Sequence, residues 1–179
     1  MPKTAKAHIL TQSHIEFLYE KYLGKKQHAD GTYVSAQLDK ASTDDLFAWV
    51  KENKIPNPYD PNEYHVTIVY SRKGIPEVEN YKFDLPIKCE ISSFEIFTTQ
   101  SNTQCLVAKL SSECLTSIHN DIRKKYGATH DFPSYKPHVT LSYDYGSDEV
   151  PKDLPKIPLT FDKVAVKPLN LDYKPKVAE

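Results

Sequence analysis

The chain is expected to fold as an α+β protein, and three observations carry that expectation. Helical and strand patterns alternate too irregularly for a doubly wound parallel sheet. One hexapeptide occurs twice, at residues 65–70 and 138–143, with helix and hairpin patterns between the copies, as in a repeated structural unit. The 179 residues hold no low-complexity stretch or linker that would divide them into independent domains.

The elements follow in order. Ser13 with Glu16 makes a capping box, opening a helix with the apolar stripe Ile15, Leu18 and Tyr22 and a stop at Gly24. Residues 32–38, Thr-Tyr-Val-Ser-Ala-Gln-Leu, predict a strand. Ser42 is the expected cap of a second helix, with Leu46, Trp49 and Val50 on one face and Asp44 and Asp45 near its positive end. Pro56, Pro58 and Pro61 break the chain before a strand at 64–70. A polar loop through Pro76 and Pro86 leads to strands at 87–98 and 104–110, joined by the turn-like Thr-Gln-Ser-Asn as a hairpin. Ser111 or Ser112 opens a third helix, carrying Leu115, Ile118 and Ile122 and ended by Gly127. After the strand at 138–143 and a loop with Pro151, Pro155 and Pro158, residues 159–173 predict a closing strand pair or one long bent strand.

Charge and composition narrow the function. Lys and Arg number 23 against 24 Asp and Glu, and a net charge of −1 argues against a protein that grips long nucleic acid by its phosphates. A small anionic ligand held in one local pocket stays open. No stretch approaches the roughly 18 apolar residues of a membrane span, and the basic first residues lack the apolar run of a signal peptide. Cys89, Cys105 and Cys114 are odd in number and lack C-x-x-C spacing, so free, buried or half-buried thiols in a reducing cytosol are expected. Neither H-E-x-x-H, paired Asp-x-Asp nor a Gly-rich phosphate loop occurs, so neither a metal nor a cofactor is expected. The protein is expected to act as a monomer.

The repeat carries the chemistry. Residues 65–70 read His-Val-Thr-Ile-Val-Tyr and residues 138–143 read His-Val-Thr-Leu-Ser-Tyr. Seven His and 12 Thr in 179 positions yield about 0.5 chance occurrences of His-x-Thr (7 × 12/179), so a single copy would carry no information. Two copies sharing the Val, the aliphatic fourth residue and the Tyr carry a good deal. Strand alternation sets His65 and Thr67 on one face, with Val66, Ile68 and Tyr70 on the core face. In the second copy it sets His138, Thr140 and Ser142 against Val139, Leu141 and Tyr143. Two such strands side by side about a pseudo-twofold axis would bring two imidazoles and two hydroxyls to one cleft. One neutral imidazole would take a proton from an attacking hydroxyl or water, the opposite imidazolium would protonate the leaving oxygen, and the threonines would donate to phosphate oxygens. An unperturbed histidine pKa near 6.5 lets the two charge states coexist near neutral pH. The set suits phosphodiester cleavage.

Other residues are expected to matter less. Tyr59, Tyr64, Tyr135 and Tyr145 flank the hexapeptides, and most should pack. Lys136, two residues before His138, is a candidate cation near the cleft. His8, His14, His28, His119 and His130 are expected at the surface, and Lys51, Lys54, Arg123, Lys124 and Lys125 at solvated helix ends.

With its paired H-x-T motifs the chain resembles the 2H phosphoesterase superfamily, over most of its length from Tyr33 to Tyr173. That resemblance implies two pseudosymmetric lobes of antiparallel sheet with outer helices around a central cleft, one bilobal domain over 1–179 in which residues 1–25 are a helical extension. By layout the chain is most similar to the phage anti-CBASS phosphodiesterases, which degrade the cyclic di- and trinucleotide signals of bacterial antiphage defence. The layout comprises Tyr-Val-Ser-Ala, an acidic-capped helix ending in Trp, the two hexapeptides and a C-terminal Leu-x-Leu-Asp-aromatic. The resemblance implies that His65 and His138 are the catalytic pair, with Thr67 and Thr140 holding phosphate, and that Tyr33 and Tyr173 contact bases. It implies action in the cytoplasm of an infected bacterium. Tyr173 stands where such tails commonly carry Trp, and Lys167 stands where they carry an acid, so base preference and that acidic contact do not carry over. RNA-end processing, at 2′,3′-cyclic phosphates or 2′-5′ linkages, would use the same four residues. A sponge that binds cyclic nucleotides without cleaving them is the reading of a different class.

Overall fold

The computed structural model describes residues 31–178, and the helix expected from Ser13, with the 1–25 extension, lies outside the described residues. The elements run β1 (Thr32–Leu38), α1 (Lys40–Glu52), β2 (His65–Ser71), β3 (Ile87–Thr98), β4 (Gln104–Ser111), α2 (Glu113–Tyr126), β5 (His138–Tyr143) and β6 (Leu159–Pro168). Short 3₁₀ turns at Pro61–Glu63 and Pro76–Asn80 lie in the loops after α1 and β2.

The first helix opens earlier than Ser42 suggests. Asp39 is its cap, the carboxylate accepting from the Ser42 backbone N–H at 2.8 Å. Ser42 is committed inward: it is the first residue of the buried stripe Ser42, Leu46 and Val50, and its Oγ accepts from the Thr160 N–H at 2.9 Å. That bond ties α1 to β6. Ser112 caps α2 as expected, accepting from the Leu115 N–H at 3.1 Å, and Gly127 ends it in the left-handed region at φ 67°. The apolar faces of both helices join Val34, Ala36, Val66, Ile68, Val139 and Leu141 of the strands in one core, each fully buried aliphatic contributing about 1.5–3 kcal/mol.

All strand pairs are antiparallel, and the order β1-β2-β5-β4-β3-β6 closes into a barrel where β6 meets β1. Residues 159–168 thus form one strand, bent by a register shift opposite Gln37 and Leu38, and its first residues also pair with β3. The sheet divides into two halves, β6-β1-β2 and β3-β4-β5, with long ladders inside each half. Between β2 and β5 the ladder is a single register pair, Val66 with Val139. A pseudo-twofold through that pair exchanges β2 with β5, β1 with β4 and β6 with β3. The two expected lobes are therefore present, fused edge to edge.

Candidate active site

A residue is inserted into each hexapeptide strand at the same place. On β2, Val69 faces Val34 while Thr67 faces Ser35, so Ile68 is unpaired. On β5, Ser142 faces Leu106 while Thr140 faces Val107, so Leu141 is unpaired. Such a bulge breaks the two-residue alternation and re-aims everything beyond it. His65, Thr67, His138 and Thr140 are half-buried on the cleft face, as alternation requires. Beyond the bulge the expectation fails. Tyr70 and Tyr143, assigned to the core face by parity, are half-buried and turn to the cleft side, while Ser142 is fully buried with its hydroxyl donating to the Pro56 carbonyl.

The imidazoles are oriented alike. His65 Nδ1–H donates to the Glu63 carbonyl at 2.6 Å and His138 Nδ1–H to the Lys136 carbonyl at 2.7 Å, each two residues upstream. A carbonyl only accepts, so Nδ1 carries the proton and Nε2 is left for the cleft. Antiparallel running from Val66 and Val139 sets His65 toward Thr140 and His138 toward Thr67. Burial pushes both imidazoles below their ordinary pKa; the Glu63 carbonyl and carboxylate oppose this at His65, where Lys167 adds to the fall. At His138 the Lys136 carbonyl opposes it, the charge on His65 adds to the fall, and Glu95 opposes it. The two rings thus feel each other across the cleft.

The halves differ in what stands beside each histidine. The Tyr33 hydroxyl bonds both His65 Nε2 at 2.8 Å and Thr67 Oγ1 at 2.7 Å. Burial pushes its pKa up to about 12, against the Thr67 bond. Its partner across the ladder is Tyr70, packed edge-on at 6.5 Å. The matching pair in the second half is Cys105 with Tyr143. A thiol on a short side chain cannot reach as Tyr33 does, and the space goes to Tyr143, whose hydroxyl lies beside Thr140 and whose pKa burial raises. Next along the ladders, Lys167 faces Tyr33 and Phe97 faces Cys105. Phe97 packs edge-on against His138 at 4.8 Å.

Lys136 is ion-paired beside Phe97, the ring that packs on His138. Its ammonium and that of Lys109 each bond Glu95 at 3.1 Å, and it sits 5.8 Å from the Phe97 ring centre. Tyr173 is brought in by the C-terminal tail, where Asp60 N–H donates to the Lys176 carbonyl at 3.0 Å and Ala178 N–H to Pro58 at 2.8 Å. Its hydroxyl meets that of Tyr59, and its ring is 48% exposed at the rim. Of the flanking tyrosines, Tyr59 and Tyr64 are buried, while Tyr135 and Tyr145 pack against the core. No group of three or more His, Cys, Asp or Glu placed to hold a metal occurs among the described residues.

Two further expectations need correction. His119 is not at the surface but 1% exposed, on the α2 stripe with Leu115, Ile118 and Ile122; helical spacing already placed it there. Cys89 and Cys105 are buried free thiols as expected, whereas Cys114 is exposed. Residues not singled out for the site are Phe97, Lys109 and Glu95. The Tyr shared at the end of both hexapeptides was the available signal for Tyr70 and Tyr143.

Comparison with known proteins agrees with this geometry. The family model described as anti-CBASS protein Acb1 matches residues 30–176. Anti-CBASS protein Acb1 of Vibrio phage KVP40 is 38% identical over 122 residues, covering 68% of this chain and 78% of that protein. The protein of the same name from Enterobacteria phage T4 is 35% identical over 149 residues, covering 83% and 94%. Among solved structures, E. coli LigT complexed with NADP+ superposes with a TM-score of 0.57 at 13% identity, over 82% of this chain and 92% of that one. LigT complexed with 3′-AMP gives 0.55 at 14% identity, over the same shares. Those two likenesses establish that the chain shares the LigT fold. A closed six-stranded sheet with a His-Val-Thr strand in each half, together with a family match over most of the length, shows that this chain belongs to the anti-CBASS protein Acb1 family.

Proposed function

We propose that the protein is a metal-independent phosphodiesterase that opens 3′-5′ bonds of cyclic di- and trinucleotide signals to linear products, countering CBASS immunity in the cytoplasm of the host cell. The observation that carries this reading is the paired strand geometry, in which both histidines have Nδ1 tied to a backbone carbonyl and Nε2 turned to a common cleft. One imidazole accepts the proton of the substrate's 2′-hydroxyl as its oxygen bonds to phosphorus; the other donates a proton to the departing 5′ oxygen as that bond breaks. Thr67 and Thr140 donate to the non-bridging oxygens as charge grows on them. Tyr33 and Tyr173 offer ring faces to the bases, worth about 1–3 kcal/mol per stacked base. Lys136 offers a cation to a second phosphate. Names of relatives support the target, and the near-zero net charge suits a small ligand neutralised locally.

The test is incubation with cyclic di- and trinucleotides, and separately with RNA ending in a 2′,3′-cyclic phosphate, followed by chromatography. Linear products from the cyclic nucleotides are expected, at a rate unchanged by excess EDTA. Conversion of the RNA end alone would replace the reading with RNA-end processing, and tight binding without conversion would replace it with a sponge. Loss in EDTA restored by a divalent ion would overturn the metal-independent chemistry.

A further inference from the structure

At the bulge on β2 two successive carbonyls, those of Thr67 and Ile68, accept hydrogen bonds from side chains of the other half. The Tyr135 hydroxyl donates to the Thr67 carbonyl at 2.8 Å. His119 Nδ1–H donates to the Ile68 carbonyl at 2.7 Å. The two rings are stacked face to face, 4.0 Å between centres and 3° from parallel. His130 closes the stack edge-on at 4.7 Å. At the matching bulge on β5 the Leu141 carbonyl takes a backbone donor, the Tyr59 N–H at 2.8 Å.

This difference matters because β2 and β5 share a single register pair. One pair fixes little of the angle or spacing between two strands, yet the separation of His65 and His138 depends on both. His119 lies on α2 and Tyr135 on the approach to β5, so the stack reaches from the second half onto the first. We infer that His119, stacked on Tyr135, is a positioning residue that holds the bulged strand β2 so that His65 and Thr67 face His138 and Thr140. His119 touches no reacting group; it acts through the backbone of residues 67 and 68. Burial lowers its pKa, which keeps the ring neutral with its proton on Nδ1. A shift of about 1 Å in a catalytic group can cost about 10²-fold in rate, so loss of this hold should appear in turnover.

The inference rests on the proposed phosphodiesterase activity, and steady-state kinetics on a cyclic dinucleotide test it. His119→Phe keeps the ring stack and removes the donor. Its kcat is expected to fall about tenfold or more with KM within about threefold, because ground-state binding is untouched while alignment is lost. His119→Asn restores an N–H near the Nδ1 position and should recover most of kcat. Tyr135→Phe, which keeps the stack and frees the Thr67 carbonyl, should also lower kcat, and it carries the test if His119→Phe does not fold. Wild-type kcat in the folded Phe variants, an equal fall in His119→Asn and His119→Phe, or a change confined to KM would overturn the assignment. A wild-type protein that leaves every cyclic nucleotide intact would overturn the proposed function first, and this assignment with it.

Discussion

Tyr33→Phe removes one oxygen and keeps the ring. That oxygen bonds His65 Nε2 at 2.8 Å and Thr67 Oγ1 at 2.7 Å, so two contacts are lost while the edge-on packing against Tyr70 and His65 stays. A net hydrogen bond contributes about 0.5–1.5 kcal/mol, so the pair represents about 1–3 kcal/mol of ordering in the two groups that face the phosphate. At about 1.36 kcal/mol per factor of ten, full transmission to the barrier would cost about 5- to 150-fold in rate. Water entering the cleft replaces part of what is lost, which points to the lower end, about 5- to 20-fold in kcat/KM. The competing effect has the opposite sign: the hydroxyl occupies the nitrogen that the substrate needs, and removing it frees that atom. Water takes up the vacated nitrogen in any case, so the gain is small beside the loss of orientation. With its pKa near 12, Tyr33 adds no limb of its own to a pH profile in the neutral range. Chromatographic rates for wild type, Tyr33→Phe and Tyr33→Ala separate hydroxyl from ring, the Ala variant losing the base platform as well. Wild-type kcat/KM in Tyr33→Phe alongside a large loss in Tyr33→Ala would show that the ring alone matters and that the hydroxyl network is idle.

Other consequences follow from the same geometry. His65→Ala and His138→Ala should each lower the rate by at least about 10², and the double variant should fall little further because the two act as a unit; full activity in either single variant defeats the mechanism. His65, His119 and His138 all have lowered pKa values in the folded protein, so the unfolded chain takes up protons at a higher pH than the folded one does. Stability is therefore whole above about pH 6.5 and declines as the pH falls from there through the folded values, by up to about 1.4 kcal/mol per pH unit for each histidine. Urea unfolding at several pH values should show that slope, reduced in His119→Asn. Gly31→Ala should destabilise by more than about 2 kcal/mol, since φ is +121° and a Cβ would lie 2.6 Å from the Ser71 carbonyl oxygen. A melting temperature within a degree of wild type would show that the β1 entry relaxes at no cost.

Much of the fold was legible along the chain. Strand boundaries at 32–38, 87–98 and 138–143 agree with β1, β3 and β5, and Ser112 and Gly127 bound α2, because alternation, caps and stop residues are local signals. What local pattern misjudged has local causes too. Ser42 looked like a cap because a hydroxyl before an apolar stripe usually is one, but its Oγ is held by Thr160, a residue of β6.

By itself, then, the amino-acid order determined that two His-x-Thr strands exist, that each sets imidazole and hydroxyl on one face, and which superfamily such a pair resembles. Both histidines and both threonines are on the cleft face because they precede the bulges, where period-two alternation still holds. Only the tertiary structure decided what lies past Ile68 and Leu141, since a bulge depends on the partner strand and leaves no mark in a single strand's pattern. It also decided that Tyr33 meets His65 while Cys105 leaves His138 to Phe97, and that a buried histidine of α2 holds the strand of the opposite half. Those contacts join residues far apart along the chain, and closure of the sheet brings them together.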